Sequence, residues 1–137
     1  DDLRPPALDD LGLPGSLEVL AQRARTPDRH VTTDLGPLPG LPAAVEVACY
    51  RIAAEALANV TKHSGARTVR LSLTALPEGL LVLEVRDDGR GLPEATGGRG
   101  LGLASMRRRA EEIGGRCVVE GTTGGTTVRV EFPLEDT

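Results

Sequence analysis

Glu55, Asn59 and Lys62 are the first residues of the chain whose types and spacing could do chemistry. On a helix they fall within about 60° of one another, with Arg51 and His63 flanking them. Cys49, Ala53, Leu57 and Val60 cluster on the opposite side, so one face is core and the other shows a carboxylate, an amide and an ammonium in a row. Such a row can be a solvated face with ion pairs. Asn59 argues for more, because asparagine is a mediocre helix former that packs nothing on a surface. A carboxylate and an amide at i, i+4 suit a hard, partly hydrated cation such as Mg²⁺, which takes few protein oxygens.

Asp87 is a second candidate. Leu81, Leu83, Val85 and Asp87 share strand parity, which points the Asp87 carboxylate toward the same face as three core residues. A carboxylate there is costly unless it accepts hydrogen bonds. Gly89 and Gly91 follow at once and remove side chains where a ligand could approach. An acceptor at the bottom of an apolar slot matches the exocyclic amine of adenine. An Asp-Gly turn would account for Asp88 and Gly89 but not for Asp87. The run Gly97-Gly98-Arg99-Gly100-Leu101-Gly102 enters a helix, and N–H groups at such an N-terminus can cradle phosphate; a plain surface loop is the alternative. Thr126 shares parity with Val128, Val130 and Phe132, so its hydroxyl could reach a ligand beside Asp87 or simply fill a strand position.

These residues require particular elements to position them. A helix from about Ala43 to His63 has no internal Pro or Gly and stops at Ser64-Gly65. Arg67 to Ala75 and Leu80 to Asp87 alternate as strands across a Pro77-Glu78-Gly79 turn. Leu101 to Ile113 reads as a helix ended by Gly114-Gly115, and Arg116 to Glu120 with Thr126 to Phe132 as a closing hairpin. Upstream, His30 to Leu35 reads as a short strand. Ser16 is a plausible N-cap for a helix from Leu17 to about Arg25. Residues 1–15, with three prolines and two Asp pairs, read as a linker or the frayed end of a preceding element. Hairpins with helices between them predict an α+β fold, a two-layer sandwich with a mixed, mostly antiparallel sheet covered on one face by about three helices.

Composition narrows the function. The 137 residues make one ordinary domain, and the chain beginning at Asp1 is expected to be a piece of something longer. Tyr50 and Phe132 are the only aromatic residues, which excludes base-stacking platforms for single-stranded nucleic acid. A net charge of −4 argues against a nucleic-acid-coating surface. Lys62 is the only lysine and lies outside any Gly-Lys-Ser/Thr, so this is not a P-loop NTPase. Cys49 and Cys117 stand apart, without the spacing of a zinc site, and read as buried thiols in a reducing compartment. No apolar run is long enough to span a bilayer. The run Arg107-Arg108-Arg109 reads as a solvated helix face, with docking as the alternative.

Together the motifs carry a resemblance. Glu55-x-x-x-Asn59-x-x-Lys62-His63, then Asp87-Asp88-Gly89-Arg90-Gly91, then Gly98-Arg99-Gly100-Leu101-Gly102-Leu103 are similar to the N-box and two glycine boxes of the Bergerat-fold, or GHKL, ATPases. That superfamily includes gyrase, the Hsp90 chaperone, MutL and histidine kinases. The stretch from Gly100 to Pro133 resembles sensor histidine kinases of the nitrate-sensor branch, and residues 3–23 resemble the segment such kinases carry after their phosphoacceptor helices.

The resemblance implies an ATP-binding catalytic domain at 16–137, preceded by a linker at 1–15 from a dimerisation and phosphoacceptor domain outside this chain. Asp87 would accept from the adenine amine, with Gly89 and Gly91 shaping the pocket. Asn59 would hold Mg²⁺, with Glu55 beside it as a ligand through water or as a base. Lys62 and His63 would touch phosphates. Gly98, Gly100 and Gly102 would hinge a short lid, about Leu92 to Arg99, and Leu101 and Thr126 would complete the ATP site. The phenylalanine box of many other histidine kinases is missing. Neither His30 nor His63 has the setting of a phosphoacceptor. The implied activity is transfer of the γ-phosphate of ATP to a histidine on the upstream domain, for relay to a response regulator with a DNA-binding output. The domain would be cytoplasmic, with no direct nucleic-acid contact, and its parent a membrane-anchored homodimer. The alternatives are a serine kinase of the anti-sigma-factor type, an ATPase, and a nucleotide-sensing module without catalysis.

Overall fold

The computed structural model describes residues 4–91 and 102–134. Among them the order is helix α1 (Pro6–Ala24), strand β1 (His30–Leu35), helix α2 (Ala43–Asn59), a π-helical turn (Val60–Ser64), strands β2 (Thr68–Leu76) and β3 (Leu80–Asp87), helix α3 (Leu103–Glu111), and strands β4 (Arg116–Thr122) and β5 (Gly125–Pro133).

The five strands form one sheet in the order β1-β2-β3-β5-β4. β2 pairs antiparallel with β3, β3 with β5, and β4 with β5. β1 pairs parallel to β2, His30 opposite Thr68 and Leu35 opposite Leu73, because α2 intervenes as a crossover. This is the mixed, mostly antiparallel α+β sandwich expected. Strand alternation explains its polarity. Val69, Leu71 and Leu73 of β2, Leu81, Leu83 and Val85 of β3, and Val128, Val130 and Phe132 of β5 are buried. They pack with Cys49, Ile52, Ala53, Ala56 and Leu57 of α2 and Met106 and Ala110 of α3. The opposite parity carries charge: Glu84, paired across the strands with Arg129, has Arg129 Nη1 at 3.6 Å and Arg86 Nη2 at 3.4 Å. Both cysteines are buried, and burial pushes the Cys49 thiol up to about 12.

Two expectations near the N-terminus need correction. The segment 1–15, expected as a linker, is helical from Pro6 onward and buries Leu8 and Leu13 in the core. The prolines that suggested a linker serve as helix punctuation instead: Pro6 opens α1, where its missing N–H costs nothing, and Pro14 follows a kink at Gly12 (φ 71°, ψ 175°). Ser16 is not an N-cap. It is buried inside α1, and its hydroxyl donates to the Gly12 carbonyl at 2.7 Å. The helix expected at Ala43 to His63 is α-helical only to Asn59 and then widens into the π-turn. No helix among the described residues is long and apolar enough to cross a membrane.

Candidate nucleotide site

α2, its π-turn, β3, β5 and α3 converge on a narrow cleft. Ala56, Val60, Val85, Leu103, Val119 and Val128 give it apolar walls, and Asn59, His63, Ser64, Asp87 and Thr126 supply polar atoms. Gly91 completes the lining.

Asp87 is the last residue of β3 and points inward with Leu83 and Val85 because of strand parity. It is only 9% exposed. Burial pushes its carboxyl above the ordinary carboxylate range, and hydrogen bonds from the Gly89 and Thr126 backbone offset part of that shift. The Gly89 amide donates to Asp87 Oδ1 at 2.8 Å. Thr126 lies directly opposite Asp87 in the β3–β5 register. Gly125 packs on the Asp87 carbonyl so closely that a side chain there would displace backbone. The arrangement is an oriented acceptor at the floor of an apolar slot, suited to a planar ligand with an amine edge.

Asp88 has the other role its neighbourhood offers. Its Oδ1 accepts from the Arg67 and Thr68 amides at 2.8 and 3.0 Å, and its Oδ2 accepts from Thr68 Oγ1 at 2.8 Å. These bonds hold its carboxyl below the usual range and cap the start of β2. The two adjacent aspartates therefore divide the work: one faces the cleft, the other anchors the loop.

The polar row on α2 is only partly gathered by the cleft. Asn59 and His63 line it. Lys62 is exposed and is not among the described lining residues. Ala56, Asn59, Val60 and His63 form the i, i+3, i+4, i+7 stripe that faces the cleft, and Lys62 lies to one side of it. Glu55 is half-buried against Gly102, the N-cap of α3, where an added Cβ would lie 2.5 Å from Glu55 Cδ. Gly102 needs its glycine twice over, for that contact and for its φ of 70°. Gly91 lines the cleft at φ 82°, and Gly89 packs on Ser64 beside it. Gly98, Gly100 and Leu101, with the lid at Leu92 to Arg99, lie outside the described residues.

Residue parity did not reveal Ser64, read as a helix stop. Its buried hydroxyl donates to the Val60 carbonyl at 2.9 Å and accepts from the Ala66 amide at 3.0 Å, which closes the π-turn. Val119 and Leu103 were also missed as lining, because each belongs to an element whose placement depends on tertiary packing.

Comparison with known proteins agrees with this geometry. Residues 44–136 match the model of the histidine kinase-, DNA gyrase B-, and HSP90-like ATPase family. The chain is 33% identical over 134 residues to the signal transduction histidine-protein kinase/phosphatase UhpB of Salmonella typhimurium, covering 96% of this chain and 26% of that protein. It is 36% identical over 142 residues to the sensor histidine kinase NarS of Mycobacterium tuberculosis, covering 98% of this chain and 32% of that protein. The chain thus spans about a quarter to a third of these curated relatives. Among solved structures, the ATP binding domain of PrrB from Mycobacterium tuberculosis superposes with a TM-score of 0.62 at 32% identity, covering 88% of this chain and 93% of that one. The motif order, the open five-stranded sheet and these matches agree: the chain belongs to the histidine kinase-, DNA gyrase B- and HSP90-like ATPase family, as an ATP-binding domain of the sensor histidine kinase type.

Proposed function

We propose that the cleft binds ATP and that the chain transfers its γ-phosphate to a histidine supplied by another domain. The observation that carries the reading is Asp87, a buried carboxylate held by Gly89 and Thr126 at the floor of an apolar slot. An adenine amine donates to it, and Val85, Val119, Val128 and Leu103 exclude water from the ring. Polyphosphate then runs toward the π-turn, where His63 lines the cleft and Lys62 supplies positive charge near it.

The donor set also fits Mg²⁺. Asn59 and Glu55 are hard oxygen donors four residues apart on α2, and no cluster of three or more His, Cys, Asp or Glu suited to a metal exists among the described residues. The protein would thus offer at most two ligands, leaving the rest to phosphates and water, as this ion prefers. When bound, the ion would neutralise charge on the β- and γ-phosphates. Asn59 would orient that charge, and Glu55 would hold an ordered water. Gly98, Gly100, Leu101 and Gly102 would supply the phosphate-side loop and its hinge.

The nucleophile would be a neutral imidazole nitrogen, attacking phosphorus in line while ADP leaves. Neither His30 nor His63 serves: His30 opens β1 at the sheet edge, and His63 lines the nucleotide cleft itself. The relatives are sensor kinases longer than this chain, which supports an upstream dimerisation and phosphoacceptor domain, a response regulator with a DNA-binding output, and a membrane-anchored homodimeric parent whose kinase domain is cytoplasmic. Residues 4–24 would then lead into the domain as its first helix rather than as a free tether. Mixing the chain with γ-labelled ATP and a separately made phosphoacceptor helix pair from its own parent tests the reading. Acid-labile, base-stable label on the acceptor histidine is expected, lost with Asn59→Ala. Release of inorganic phosphate without acceptor labelling would overturn it.

A further inference from the structure

Arg90 takes no part in the chemistry above, yet it makes two bonds to a single turn. Its backbone N–H donates to the Ser64 carbonyl at 2.9 Å. Its Nη2 donates to the His63 carbonyl at 2.9 Å. Both acceptors belong to the π-turn that ends the α2 helix, where carbonyls lack partners within the helix and the dipole is negative. This is an awkward place for a polyphosphate, because Asn59, His63 and Ser64 of the same helix end line the cleft. A guanidinium bonded to those carbonyls caps them and offsets their negative potential.

The neighbouring residues are built around this bond. Gly89 packs on Ser64 so tightly that an added Cβ would lie 2.6 Å from Ser64 Cβ. Gly65 turns at φ 65°, and a Cβ there would sit 3.9 Å from Arg90 Nε, so the turn passes close under the guanidinium. The loop that follows Asp87 is thereby fixed to the turn that carries Lys62 and His63.

We infer that Arg90 is a positioning residue for the phosphate side of the cleft, locking the π-turn at a fixed distance from Asp87 and neutralising the helix end that the phosphates approach. The inference rests on the nucleotide reading. It assigns Arg90 no contact with the adenine, so base and phosphate recognition separate in its variants.

The test compares ADP binding by calorimetry with adenosine binding by NMR titration, in the unsubstituted chain, Arg90→Met and Arg90→Lys, with the melting temperature of each. Arg90→Met should weaken ADP by about five- to tenfold, the scale of a charge-assisted cap at a helix end, and leave adenosine within about twofold. Arg90→Lys, which keeps the cation, should recover most of the ADP affinity. Equal weakening of both ligands, or no weakening of ADP, would overturn the assignment while leaving the nucleotide reading in place. Failure of Arg90→Lys to recover would remove the electrostatic part of it. An unsubstituted chain that binds neither ligand would overturn the nucleotide reading itself, and this inference with it.

Discussion

Asp87 and Thr126 stand directly opposite each other in the β3–β5 register, and a backbone hydrogen bond from Thr126 to the Asp87 carboxylate ties the floor of the cleft together. The pair joins two central strands at the point where both leave the sheet, so the carboxylate inherits the rigidity of the core beneath it. Its ionised form is nevertheless disfavoured by burial.

Asp87→Asn therefore separates function from stability. The raised carboxyl means that the native state holds its proton to higher pH than the unfolded chain, so Asp87 makes stability fall as pH rises through that window. Above the window the ionised group is a standing cost. Asp87→Asn should melt at or above the temperature of the unsubstituted chain at neutral pH, while losing at least about tenfold in ADP affinity, since an amide turns a donor toward the adenine amine. Thermal melts and titrations at pH 7 check both halves; a lower melting temperature would contradict the account of the site.

Asp88 should behave with the opposite sign. Its carboxyl is held low by the Arg67 and Thr68 bonds, so the stability it contributes is present above the ordinary carboxylate pKa and is lost as pH falls through its depressed value. Melts from neutral pH downward should show an acid-side loss of stability that shrinks in Asp88→Asn.

Glu55 and Gly102 should be energetically coupled. A methyl group at Gly102 would press on the Glu55 carboxyl and would also strain a backbone held at φ 70°. Gly102→Ala is expected to cost about 1–3 kcal/mol, with the steric share removed in the Glu55→Ala background. A double-mutant cycle on urea midpoints measures it. Additive effects would mean that the contact is not maintained in solution.

The N-terminal helix should contribute to the fold rather than hang from it. Leu8 and Leu13 are buried, and truncating such a leucine costs about 2–5 kcal/mol. Leu8→Ala should lower the urea midpoint accordingly, where a tether would show no change.

The legible parts of this chain were those written in period or in side-chain type. Strand parity from Leu81 onward put Asp87 on the inner face, and the unbroken run from Ala43 located α2. The motif set then pointed to the ATPase family that the comparisons show. What stayed hidden depended on tertiary partners. Pro5, Pro6 and Pro14 look like a linker until Leu8 and Leu13 find the core. The π-turn has no signature in residue type, because it is fixed by Ser64 bonding back to Val60 and by Arg90 arriving from a distant loop. Lys62 neighbours Asn59 on the helical wheel but lies to one side of the stripe through Ala56, Asn59, Val60 and His63, which is the stripe that the cleft gathers.

The central claim is that Asp87 floors a nucleotide site, and calorimetric titration of the chain with ADP, with and without Mg²⁺ and alongside Asp87→Ala, tests it most directly. The account predicts saturable binding that Mg²⁺ strengthens and that Asp87→Ala abolishes. Binding of equal affinity in Asp87→Ala, or none in the unsubstituted chain, would contradict it.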